Sequence, residues 1–274
     1  MVLLCSVAIL LFFAASMVAQ FIGGARVFQA VTGYPYEAGL ILFGVTVVLY
    51  TAVGGFRAVA VTDALQGVVM LIASVVILFA VVRAGGGMEQ CIQTLKGMDP
   101  GLVSPSGAGD STSRSHALSF WILVGLGILG LPQTTQRCFG YKNSKSMHDA
   151  MIMGTLIIGF LLLFMHLAGV LGRAVMPGLT SGDLIIPSLI LELLPPFWAG
   201  VFVAGPLAAI MSTVDTMLLL VSASIIKDLY IRYRLKNDTS GISAKKIGRM
   251  SFCCTLAAGV LVFCASFNPP DLLV

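Results

Sequence analysis

The sequence predicts an all-α fold, a polytopic membrane helix bundle, and three observations carry that prediction. Apolar runs of about twenty residues or more recur from end to end, each long enough to cross a bilayer. Only 10% of the residues are charged, against about one quarter in an ordinary soluble domain. The basic residues fall between the apolar runs, and unequally on alternate sides. With 58% hydrophobic residues, lipid is the solvent this surface expects, so backbone polar groups must be satisfied inside helices.

Seven spans are predicted, making a single transmembrane domain over residues 1–274. They cover about 2–31, 37–53, 57–83, 117–136, 146–175, 197–230 and 247–267. Gly54-Gly55 separates the second from the third. A polar stretch, 84–116, follows the third, punctuated by Gly85-Gly86-Gly87 and Ser104-Pro105, with a short surface helix over Met88–Met98. Between the fifth and sixth, 181–194 has helical spacing but is too short to cross, and Pro187 marks a bend or a first turn. Met1 leads straight into a membrane run, without the basic region and small-residue site of a cleaved leader. Both ends read as interior to a longer protein.

Charge tests this layout, because Lys and Arg gather in cytoplasmic loops. One alternate set of loops holds 11 of the 16 basic residues, among them Arg57, Arg137, Lys142 and the cluster from Lys227 to Arg249. The other set holds Arg26, Arg83, Lys96, Arg114 and Arg173 with most of the acids. The N-terminus is therefore expected inside and the C-terminus outside; the basic cluster at 227–249 marks this topology, with contact to anionic lipid as the alternative. Six cysteines show no metal or redox spacing. No catalytic or nucleotide-binding motif is present, so an enzyme and an ATP-driven pump are not expected, nor is any nucleic-acid partner.

In the stretch FWAGVFVAGPLAAIMSTVDTMLLLVSASIIKDLY, the apolar run up to Ile226 carries one charge, Asp215. A carboxylate at that depth costs several kcal/mol (roughly 2.5–3.5 on insertion scales) unless it faces a cavity, an ion or a partner. On the same helix, Ala209, Ser212, Thr213 and Thr216 share one face. Two hydroxyls and a main-chain carbonyl are neutral oxygen ligands that suit a hard monovalent cation and hold it weakly enough to let go. The alternative is that the hydroxyls join two helices. Asp63, in GGFRAVAVTDALQG, joins Asp215 as a candidate cation path; the alternative is a boundary carboxylate paired with Arg57. Gly125, Gly127, Gly130 and Pro132 weaken the fourth span, and an interrupted span points to a transporter's binding site. Gln20, Gly127, Gly130, Pro132 and Thr216 are the candidate solute contacts. Close helix packing is the alternative for the glycines, and interhelical hydrogen bonding for Gln20 and His166.

AAIMSTVDTMLLLVSASIIKDLY resembles the sodium-binding helix of the sodium:solute symporter family, and GGFRAVAVTDALQGVVML resembles that family's helix with a Gly-Gly turn and a Thr-Asp pair. QFIGGARVFQAVTGYPYEAGLILFG and GLPQTTQRCFGYKNSKSMHDAMIMGT are similar to its pantothenate-carrying branch. The resemblance implies part of a five-plus-five inverted-repeat fold and sodium-coupled uptake across a bacterial inner membrane. Sodium is then the coupling ion, with no cofactor, and pantothenate the solute, with proline or a carboxylate as the alternative. The family's sodium ligands on this helix, a small-residue carbonyl and two adjacent hydroxyls, fall on Ala209, Ser212 and Thr213, and its earlier aspartate falls on Asp63. The remaining sodium carbonyls belong to a first core helix that precedes this stretch, so the chain by itself could also be a non-transporting fragment. Asp215 occupies a position that varies in the family.

Overall fold

The structure, a computed structural model, describes residues 1–179, 182, 185–236, 238 and 242–268. Asp183 and the Pro269-Pro270 end of the sequence lie outside the described residues. Among the described residues nine α-helices follow one another: α1 Val2–Thr32, α2 Tyr36–Ala84, α3 Met88–Met98, α4 Arg114–Gly127, α5 Pro132–Cys138, α6 Ser144–Val175, α7 Ile185–Leu193, α8 Pro196–Ala223 and α9 Ala244–Ala265. No strand occurs among them. The chain divides into two compact units, residues 1–70 with 204–274, and residues 71–203.

In the first unit, α1, the first part of α2, the latter part of α8, and α9 close around one apolar core. Phe21 meets Phe43 edge to face at 5.6 Å, with Met17, Leu40, Val47 and Leu218 fully buried around them. Small residues set how near the helices come. A Cβ on Gly24 would lie 2.8 Å from the Phe43 ring, and one on Gly259 would lie 2.5 Å from Val48. Dispersion attraction at such close approach holds helices together where no water is expelled. Polar ties add to it. The Tyr36 hydroxyl donates to the Ser266 carbonyl at 2.7 Å, and Ser222 bonds the Ser251 carbonyl at 3.1 Å. Ser222 therefore joins α8 to α9.

The 49 residues of α2 would reach about 74 Å if straight, against a hydrocarbon core of about 30 Å. Gly55 resolves the mismatch. Its φ of 59° and ψ of −166° interrupt the helix where two predicted spans meet. That region is open essentially to glycine alone. The predicted sixth span, 197–230, is also not uniform: at Ser224 the hydrogen bonding widens into a π-helix that runs to Arg234. Single π turns are the usual form, so eleven residues is long.

In the second unit, α3 lies against α6 and buries Cys91 and Leu95. Gly172 of α6 makes room for Leu189 of α7, whose Pro187 sits in the first turn, where a missing N–H costs nothing. Side chains start the helices: Ser113 accepts from the His116 N–H, and Asn143 from the Ser146 N–H. The predicted fourth span is broken. α4 tightens into a 3-10 turn at Ile128–Gly130, then restarts at Pro132, and the two parts bend by 48°. Leu123, Leu129, Phe160 and Leu163 are exposed along α4 and α6. Apolar faces of that extent fit lipid or further protein as neighbour, not water.

Candidate functional site

The site is built on the middle of α8, in the first unit. A helix brings residues at i, i+3 and i+4 to one turn. Here the Ser212 hydroxyl donates to the Ala209 carbonyl at 3.1 Å, and the Thr213 hydroxyl donates to the same carbonyl at 3.0 Å. Three neutral oxygens therefore sit together, on residues that are half-buried and not sealed in the core. Three residues earlier, Pro206 supplies no N–H to the helix ladder. A Cβ on Gly23 of α1 would lie 3.8 Å from the Ile210 side chain, one residue beyond Ala209. Gln20 lies one turn before Gly23 and is half-buried.

Asp215 turns from that face toward α2. Its side chain has no exposed surface. Oδ2 accepts from the Tyr50 hydroxyl at 2.7 Å, and Oδ1 accepts from Thr216 Oγ1 at 3.2 Å. Thr216 Oγ1 also donates to the Ser212 carbonyl at 3.0 Å, which ties the carboxylate to the oxygen turn. The short Tyr50 bond, with a longer contact from the hydrogen Thr216 shares with the Ser212 carbonyl, offsets part of the cost of taking the carboxylate out of water. Asp63 acts electrostatically on Asp215, so the two predicted acids fall in one neighbourhood. Gln66 and Thr51 border the Tyr50 hydroxyl. Thr51 Oγ1 and Gln66 Oε1 are buried and make no hydrogen bond among the described residues. Buried polar atoms of this kind call for an explanation, such as a water or an ion.

Tyr50 joins Asp215, with Thr51 and Gln66 beside Tyr50, and a reading of apolar runs passes over Tyr50 and Thr51. Tyr50 could have been noticed as a hydroxyl one turn before the Gly54-Gly55 break. Its partner lies 165 residues away and leaves no local trace.

The second unit holds the remaining predicted contacts. Gly127 and Gly130 are exposed at the break, and Pro132 is half-buried. Beside Pro132, the Gln133 amide oxygen is buried and makes no hydrogen bond among the described residues. His166 is satisfied locally, its Nδ1 lying 2.7 Å from the Leu162 carbonyl. That is a structural role for the ring. All six cysteines are free thiols, and no cluster of three His, Cys, Asp or Glu side chains exists among the described residues.

Helices long and apolar enough to cross a membrane, one of them broken, with a fully buried acid among hydroxyls, define a polytopic membrane protein with an internal polar site. The sodium:solute symporter family profile matches residues 1–274, and the chain belongs to that family. It is 48% identical to the sodium/pantothenate symporter of Escherichia coli K12 over 277 residues, all of this chain and 56% of that protein. The sodium/pantothenate symporter of Haemophilus influenzae is 43% identical, again over all of this chain and 56% of the relative. A sodium/proline symporter of Staphylococcus aureus is 31% identical over 97% of this chain and 52% of its own length. The chain thus spans about half the length of the curated relatives it matches. Among solved structures, a Na+-coupled sialic acid symporter in a substrate-bound outward-open state superposes with a TM-score of 0.83. The match covers 96% of this chain and 57% of that one at 19% identity, a likeness of fold.

Proposed function

We propose that this chain is the central part of a sodium-coupled symporter that takes up pantothenate by alternating access. The observation that carries the proposal is the α8 turn, where the Ala209 carbonyl and the Ser212 and Thr213 hydroxyls meet beside a buried carboxylate. Neutral oxygens replace water around a sodium ion without binding it too tightly to release. Asp215 and Asp63 would draw the ion through the low-dielectric interior, where one carboxylate is costly and two are more so without a cation. Sodium binding favours the state that accepts solute, so coupling is a difference of affinity between states. Within the first unit Gln20 and Thr216 are the proposed solute contacts, and within the second unit Gly127, Gly130 and Pro132 at the broken α4–α5 span are proposed ones.

Pantothenate is favoured over proline by the higher identity to the pantothenate symporters, 48% and 43% against 31%. The protein would sit in a bacterial inner membrane with its N-terminus cytoplasmic and residue 274 on the outer side, a reading supported by the placement of 11 of 16 basic residues. A reporter fused in turn to each end tests that orientation.

The test of function uses a full-length chain carrying this sequence, reconstituted in vesicles with an inward sodium gradient. Labelled pantothenate should accumulate, and the accumulation should vanish when choline replaces sodium. Accumulation of proline in place of pantothenate would overturn the solute. Pantothenate uptake indifferent to the gradient would overturn the coupling.

A further inference from the structure

A transporter's ion site has to bind well enough to load and poorly enough to unload. A fully buried carboxylate in a cation path threatens the second requirement, because attraction between opposite charges grows as water is excluded. Asp215 is such a carboxylate. Its Oδ2 is held from across the helix interface by the Tyr50 hydroxyl at 2.7 Å, within the range of a strong charge-assisted hydrogen bond. Thr216 Oγ1 has one hydrogen to share between Asp215 Oδ1 at 3.2 Å and the Ser212 carbonyl at 3.0 Å. Tyr50 is thus the shorter of the two donors to the carboxylate.

We infer that Tyr50 is a positioning residue that weakens cation binding at Asp215, by holding Oδ2 toward α2 and drawing off part of its negative charge. The inference rests on the reading of Asp215 as part of the cation path. Tyr50 touches neither solute nor ion in this role; it acts through the carboxylate. The groups around the hydroxyl fit the task. Thr51 and Gln66 border it, and neither Thr51 Oγ1 nor Gln66 Oε1 is engaged by a hydrogen bond among the described residues.

The experiment measures sodium dependence of solute uptake in vesicles containing the full-length chain, for Tyr50→Phe, Asp215→Asn and the double variant. Tyr50→Phe should lower the half-saturating sodium concentration about three- to tenfold, the effect of one hydrogen bond, and lower the maximal rate as release slows. Asp215→Asn should raise the half-saturating concentration, and adding Tyr50→Phe to it should change nothing further. Replacing Tyr50 by meta-fluorotyrosine keeps the ring's shape and strengthens the donor, so it should shift sodium dependence the opposite way from Phe. That single-atom change decides the matter alone if Tyr50→Phe does not reach the membrane. Equal or same-direction shifts from Phe and fluorotyrosine, with Asp215→Asn still raising the sodium requirement, would overturn the inference and leave the cation path standing. Unchanged sodium dependence in Asp215→Asn would remove the cation-path reading and this inference with it.

Discussion

Tyr50 on α2 donates to Asp215 Oδ2 on α8 at 2.7 Å, and this bond turns a costly intramembrane acid into a held one. The chemistry of the site depends on how the α8 oxygens sit around that acid.

The paired hydroxyls beside it test the ion site directly. Ser212→Ala with Thr213→Ala removes two neutral oxygens from the turn at Ala209, each worth about 1 kcal/mol net. In a full-length chain the half-saturating sodium concentration should rise about thirtyfold. The apparent affinity for solute at saturating sodium should be little changed. Uptake kinetics over a sodium titration give the answer, and an unchanged titration would take the ion away from these residues.

Asp215 also has a structural consequence. Asp215→Ala leaves the Tyr50 hydroxyl buried without its acceptor, which costs about 1–3 kcal/mol. Asp215→Asn keeps an acceptor in place and should cost less. Denaturant or thermal unfolding in detergent separates the two variants. If alanine proves as stable as asparagine, the hydrogen bond contributes nothing measurable.

Close packing of α2 on α9 rests on Gly259. A Cβ there would stand 2.5 Å from Val48, so Gly259→Ala overpacks the contact and should cost about 1–3 kcal/mol. Val48→Ala, made in the same chain, should recover most of the loss by vacating that space. Melting temperatures of the single and double variants test the coupling; simple addition of two losses would count against it.

Gln133 is the expectation for the solute side. Its buried amide oxygen, beside the Pro132 break, makes no hydrogen bond among the described residues. Gln133→Leu should raise the half-saturating pantothenate concentration about tenfold, the worth of one polar contact, with sodium dependence unaltered. A shift in sodium dependence with no change for pantothenate would assign the residue elsewhere.

Much of the fold was readable along the chain. The surface helix Met88–Met98 lies where glycine punctuation and residue spacing put it, because both act within a few residues. The same holds for the interruption at Gly55 and the broken span before Pro132. The oxygen turn was readable for the same reason: Ala209, Ser212 and Thr213 stand at helical spacing, so any helix brings them together. The π-helix from Ser224 was not readable, since a shift in hydrogen-bond register leaves composition unchanged.

Membrane class, helix placement and the oxygen-bearing turn of α8 thus followed from local rules: hydropathy over about twenty residues, breaker residues, and the 3.6-residue period. Packing alone decided which way Asp215 would face and what would satisfy it. Tyr50, Thr51 and Gln66 reach its neighbourhood only because α2 folds back against α8, and a hydrogen bond between residues 165 apart has no signature in either segment. The physical reason is that a helix specifies its own faces from nearest neighbours, whereas the partner of each face depends on how whole helices fill space together.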